Sequence, residues 1–183
     1  VAALEAGIPV FQPERIRRDG VGDLKNLKPD LCVTAAFGQI LSQEILDIPP
    51  LGTINVHASL LPRHRGSAPI NWAILQGDKV AGVTTMMTDK GIDTGDMLLK
   101  AETPYIKGET AGELTLRMAE LGAKLLIDTL KKPLELGNPI AITIKVKGGG
   151  YILSSAKPLN YANPLENVIA AYEAFTEENY KLF

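Results

Sequence analysis

The run Asp30-Leu-Cys-Val-Thr-Ala-Ala-Phe37 is apolar at almost every position, and it is the stretch that most limits the fold. A strand with one face in water alternates apolar and polar residues. A continuous apolar run of this length instead predicts a strand covered on both faces. Further strand-like runs follow at Thr53–Ala58, Ala81–Met87 and Met97–Thr103, after a shorter one at Ile8–Phe11 ended by Gln12-Pro13. Helix-like stretches separate them. Ser42 is placed to cap a short helix over Gln43–Leu46, and Pro49, Pro50 and Gly52 break the chain before the next strand. Pro69 stands at the first turn of a helix over Ile70–Gln76, with Gly77 just past its end. Arg15–Asn26 reads as a loop or short helix. Thr110-Ala-Gly-Glu113 is a capping box, and Leu114, Met118, Leu121 and Leu125 form the apolar stripe of the helix it opens, running to about Lys131. Apolar runs alternating with helices predict an α/β domain on a mostly parallel, Rossmann-like sheet.

Composition limits function. With 45% apolar and 22% charged residues the chain is ordinary for a globular domain, and 183 residues suffice for a sizeable core. A net charge of −2 gives no basic field for nucleic acid. The single cysteine, Cys32, excludes an internal disulfide and reads as a buried thiol, in keeping with a reducing, cytoplasmic compartment. No run of 18 apolar residues calls for a membrane span. There is no phosphate-cradling glycine loop and no Cys/His cluster of metal-ligand spacing, so neither a nucleotide nor a metal is expected.

The chemistry gathers in Asn55-Val-His-Ala-Ser-Leu-Leu-Pro-Arg-His-Arg-Gly66. Alternation along a strand places Asn55 and His57 on one face, with Val56 turned into packing. An amide donor beside an imidazole suits a reaction that develops an oxyanion and moves a proton. Downstream, Gly91-Ile-Asp-Thr-Gly-Asp-Met97 offers Asp93 and Asp96 in a glycine-flanked turn, where aspartate also serves as a turn former.

These two blocks, with Ser67-Ala-Pro-Ile-Asn-Trp72 after the first, resemble the signatures of the 10-formyltetrahydrofolate-dependent formyltransferases, in particular the methionyl-tRNA formyltransferases. The likeness covers about residues 1–131. It implies a catalytic domain there, with Asn55 donating to the oxyanion, His57 stabilising it or handling the amine proton, and Asp93 orienting His57. Asp96 is taken as structural. Gln39, Ile40 and Leu41, with Thr88, Asp89, Lys90 and Gly91, match family segments whose main chain holds the pterin ring of the folate co-substrate. The implied acceptor is initiator methionyl-tRNA. Arg63 and Arg65 either contact that anionic substrate or form a solvated loop face. His64 stands where the family commonly has an aromatic residue and is not expected to be catalytic; Trp72 is expected in the core.

The likeness stops at both ends. Val1 is not a natural start, and the chain opens in the tail of a helix, Val1–Gly7, so the family's first, central strand is expected to be missing. That should leave apolar strand surface and an open edge. After a junction at 132–147, residues 148–183 carry an extra strand–helix tail. Gly148–Ser155 and Asn163–Tyr172 resemble the last strand and helix of the uroporphyrinogen decarboxylase superfamily, a (β/α)8 barrel. Leu165, Val168, Ile169 and Tyr172 give that helix an apolar face. The resemblance leaves other readings of the whole: another folate-dependent formyltransferase, a formyltetrahydrofolate hydrolase, or an inactive folate-binding fragment.

Overall fold

A computed structural model describes residues 2–131 and the backbone of 152–153. In chain order the elements are α1 (Ala2–Glu5), β1 (Val10–Phe11), a π-helical turn (Ile16–Gly20), α2 (Val21–Leu27), β2 (Cys32–Ala35), α3 (Gln43–Leu46), β3 (Thr53–His57), α4 (Pro69–Leu75), β4 (Val80–Met87), β5 (Met97–Pro104), α5 (Ala111–Lys131) and β6 (Ile152–Leu153). The junction 132–147, the tail helix around Asn163–Tyr172 and all of the expected tail strand but Ile152 and Leu153 lie outside the described residues. Those two pair in parallel with β1, Val10 opposite Ile152 and Phe11 opposite Leu153.

The main sheet has the order β2-β3-β4-β5. The α/β class is as expected, but the sheet is mixed rather than mostly parallel: β2 and β3 run parallel, while β3–β4 and β4–β5 are antiparallel. The reason is the connection after β3. The chain leaves at His57, forms α4 and enters β4 near the same end of the sheet, with His57 opposite Thr84, so it makes no crossover.

Helix α5 covers one face of this sheet. Its stripe residues Leu114, Met118 and Leu125 are buried with Ala81 and Val83 of β4, and Val56, Ala58 and Leu121 pack around them. Each such side chain contributes roughly 1.5–3 kcal/mol on burial. Gly122 lets the helix come close: a Cβ there would lie 3.0 Å from Val56 Cγ1. The capping box forms as read. Thr110 N–H donates to Glu113 Oε2 at 2.8 Å and Glu113 N–H to Thr110 Oγ1 at 3.2 Å. Two Thr110 donors hold the Glu113 carboxyl below its ordinary value, the backbone N–H first and the hydroxyl second. A second cluster, Ile16, Leu24 and Ile45 with Cys32, Phe37 and Leu41, packs α2 and α3 beside β2.

Three expectations need correction. Strand β2 is not covered on both faces, because Val33 is 43% exposed at an edge that α5, lying over β4 and β5, leaves bare. Among the described residues the only ladder of β2 is with β3. Ser42 has the extended backbone of an N-cap but makes no capping bond, and its hydroxyl is buried without a partner. Trp72 is 52% exposed rather than in the core. Helix α4 rests on its Ile70–Ala73 side, and Trp72 faces away.

Candidate active site

Strand β3 alternates as read. Ile54 and Val56 turn to the α5 side, while Asn55 and His57 share the opposite face. In the parallel register Thr34 lies beside Asn55, and its hydroxyl donates to Asn55 Oδ1 at 3.0 Å. That bond fixes the amide so that Nδ2 points the other way, toward Asp93 Oδ1 at 3.2 Å.

Asp93 reaches this face by a route that the strand order does not suggest. Because β4 runs opposite to β3, its carboxyl end lies at the start of β3, with Met87 beside Ile54. The turn 88–96 then folds back along the sheet. Asp89 shapes it by accepting from Gly91 N–H at 3.0 Å and Thr94 Oγ1 at 2.7 Å, and Met87 N–H donates to Asp96 O at 2.8 Å. A Cβ at Gly95 would lie 1.9 Å from Met87 O, so only glycine closes this turn. Asp93 itself has φ 51°, a left-handed conformation that aspartate tolerates better than most residues.

The result is one connected constellation. Asp93 Oδ2 accepts from Gly66 N–H at 2.8 Å and lies 3.4 Å from His57 Nδ1. His57 Nε2 is 2.8 Å from His64 O, and the ring is 6% exposed. Both ring nitrogens thus face oxygen atoms, with Nε2 donating to the His64 carbonyl and Nδ1 turned to the Asp93 carboxylate. Such a ring suits a neighbouring oxygen that gains negative charge. Asn55 spends one Nδ2 hydrogen on Asp93 and keeps a second.

The other residues singled out from sequence divide. The segment 39–41 follows β2, whose Ala35 lies beside Val56, so it adjoins β3. Gln39 Oε1 accepts from Ile16 N–H at 2.9 Å, Leu41 packs into the α2–α3 cluster, and Ile40 is 67% exposed. Thr88 N–H donates to Thr53 O at 2.7 Å, while the Thr88 hydroxyl is buried without a partner. Asp89 and Gly91 build the turn, and Lys90 is exposed. Arg63 is engaged by Asp78 and Gln76, whereas Arg65 is exposed with no hydrogen bond or ion pair among the described residues. Among those residues no group of three or more His, Cys, Asp and Glu could hold a metal ion, and no helix is long and apolar enough to cross a membrane.

Two contributors escaped the sequence reading. Thr34 orients Asn55; its signal was a hydroxyl inside the apolar run 30–37. The pair His64 and Asp78 is joined at 2.6 Å across fourteen residues, and no local pattern marks it.

A family model described as formyl transferase matches residues 4–130. The methionyl-tRNA formyltransferase of Acetivibrio thermocellus is 57% identical over 131 residues, which are 71% of this chain and 42% of that protein. That of Ruminiclostridium cellulolyticum is 57% identical over 129 residues, 70% of this chain and 41% of that protein. The chain thus spans well under half the length of these relatives. Among solved structures, phosphoribosylglycinamide formyltransferase from Bacillus halodurans superposes with a TM-score of 0.59 at 28% identity, over 67% of this chain and 63% of that one.

Proposed function

Because the chain belongs to the formyl transferase family, we propose that it moves a formyl group from 10-formyltetrahydrofolate to the α-amine of initiator methionyl-tRNA, a cytoplasmic reaction of translation initiation. The observation that carries this reading is the joined Asn55–His57–Asp93 constellation. The folate donor supplies the formyl carbon. Asn55 offers its second Nδ2 hydrogen to the oxygen that gains charge when the amine adds. His57 stands beside it, with Asp93 on one ring nitrogen and the His64 carbonyl on the other, ready to stabilise that charge and to take part in moving the amine proton. Gly66 N–H and Asn55 keep the Asp93 carboxylate aimed at His57.

The donor fits the residues beside the site. Segment 39–41 follows β2 and segment 88–91 follows β4, where Thr88 N–H donates to Thr53 O, so both adjoin β3 and would hold the donor through main-chain groups. Of the two arginines on the loop after β3, Arg65 has no hydrogen bond or ion pair among the described residues and would meet the anionic acceptor, while Arg63 is engaged by Asp78. The exposed apolar side chain of Val33 on β2 favours one other reading, a folate-binding unit without turnover. Incubation with 10-formyltetrahydrofolate and methionyl-tRNA separates them. Formyl-methionyl-tRNA as product supports the proposal. Tetrahydrofolate binding without product supports the binding unit. Formate release, or formylation of glycinamide ribonucleotide instead, would move the chain to another folate-dependent activity.

A further inference from the structure

We propose that His64 and Asp78 are a positioning pair: together they hold the carbonyl to which His57 Nε2 donates, and so set the orientation of the catalytic ring from outside the site. The inference rests on the proposed function.

The carbonyl belongs to a residue in an unfavourable conformation. His64 has φ 55°, which a residue with a Cβ occupies only when its surroundings hold it there. The hold is visible. The His64 ring is 6% exposed, and its Nε2 is 2.6 Å from Asp78 Oδ2. The Arg63 guanidinium occupies Asp78 Oδ1, and Ser59 Oγ donates to Arg63 O at 2.7 Å. Asp78 is anchored in turn, its N–H donating to Ala73 O at 3.0 Å just past α4. The Asp78 carboxyl lies below its ordinary value, held there first by the His64 bond and then by Arg63. The loop between His57 and Gly66 is therefore pinned to the end of α4 by a charged acceptor, and the carbonyl of the pinned residue is the one at 2.8 Å from His57 Nε2.

The test compares His64→Ala, Asp78→Ala and His64→Gln in the full chain. Glutamine carries its amide nitrogen about where the histidine Nε2 lies and can still donate to Asp78. Three quantities are read: kcat and KM for formyl transfer, binding of tetrahydrofolate, and the ¹⁵N resonances of the His57 ring. The alanine variants should lose kcat by on the order of 10- to 100-fold, as misplacement of a catalytic group does, with KM and tetrahydrofolate binding unchanged. The His57 Nε2 resonance should shift in both, and His64→Gln should recover most of kcat and the wild-type resonance. Wild-type kcat in the alanine variants, a loss confined to KM, or loss of tetrahydrofolate binding with collapse of the fold would each overturn the proposal, as would failure of glutamine to recover it. If the wild-type chain shows no transfer, the proposed function fails, and the ring resonance still decides: an unshifted Nε2 in Asp78→Ala refutes the positioning pair by itself.

Discussion

Replacing Asp93 by Asn disturbs the most connected group of the site without changing its shape. The carboxylate faces three donors: Gly66 N–H at 2.8 Å, Asn55 Nδ2 at 3.2 Å and His57 Nδ1 at 3.4 Å. A carboxylate can accept from all three, whereas an amide has one accepting oxygen and a donating nitrogen. With the new oxygen kept on the Gly66 and His57 side, its nitrogen meets that of Asn55, donor against donor. Asn55 relieves this by turning over. Its oxygen then accepts from residue 93, and its nitrogen donates to Thr34 Oγ1, now 3.0 Å from the Asn55 oxygen and able to accept as well as donate. The network closes except for the half-buried Thr34 hydroxyl hydrogen, which gives up its acceptor, so the fold should lose on the order of 1 kcal/mol. Catalysis loses two things: the hydrogen that Asn55 held toward the reacting oxygen, and the charge opposite His57. At 3.4 Å and an effective dielectric of about 20, attraction to a charged ring is at most on the order of 5 kcal/mol, and a charge-assisted bond nets about 1.5–3 kcal/mol. A barrier raised by about 3–4 kcal/mol slows transfer on the order of 10²- to 10³-fold. The assay is kcat for formyl transfer beside a thermal melt. A variant keeping more than about a tenth of wild-type kcat would refute the electrostatic argument. A melting point lowered by more than about 8 °C would refute the compensating turn of Asn55.

Two further predictions concern the framework. Thr110→Ala removes the hydroxyl that caps α5, and because this helix carries the main core the cost should appear in global stability: about 1 kcal/mol, or roughly 4 °C in the melt, whereas an unchanged melt would show that the box contributes nothing. Burial pushes the Cys32 thiol up to about 11 from an ordinary 9.0. The thiolate is the reactive form and is populated only as pH rises through that value, so at pH 8 iodoacetamide should alkylate the folded chain roughly 100-fold more slowly than the unfolded one, with the gap closing toward pH 11. Equal rates at pH 8 would show that the half-buried setting of Cys32 does not shield its thiol.

What could be read from the residues was what is local. The α5 capping box and stripe, the Pro69–Gly77 bracket of α4 and the shared face of Asn55 and His57 each depend on spacing within a few residues, and each stands as read. Strand direction was not legible, because it depends on where the chain returns after α4 rather than on any run of residues. The exposure of Val33 and Trp72 follows from how far α5 and α4 reach, a property of their neighbours. In the site, Asp93 could be paired with Asn55 and His57 only through the family likeness, since the turn 88–96 folds back across the sheet. Thr34 lay unremarked within an apolar run, and His64 with Asp78 is a contact between a loop and a helix end that the intervening chain conceals.

The central claim is tested most directly by formyl transfer from 10-formyltetrahydrofolate to methionyl-tRNA, measured on the wild-type chain, Asn55→Ala and His57→Ala, with tetrahydrofolate binding followed in all three. The account predicts transfer by the wild type, a loss on the order of 10²-fold or more in each variant, and binding largely retained. Turnover near wild type in either variant, from a chain that binds the folate, would contradict it.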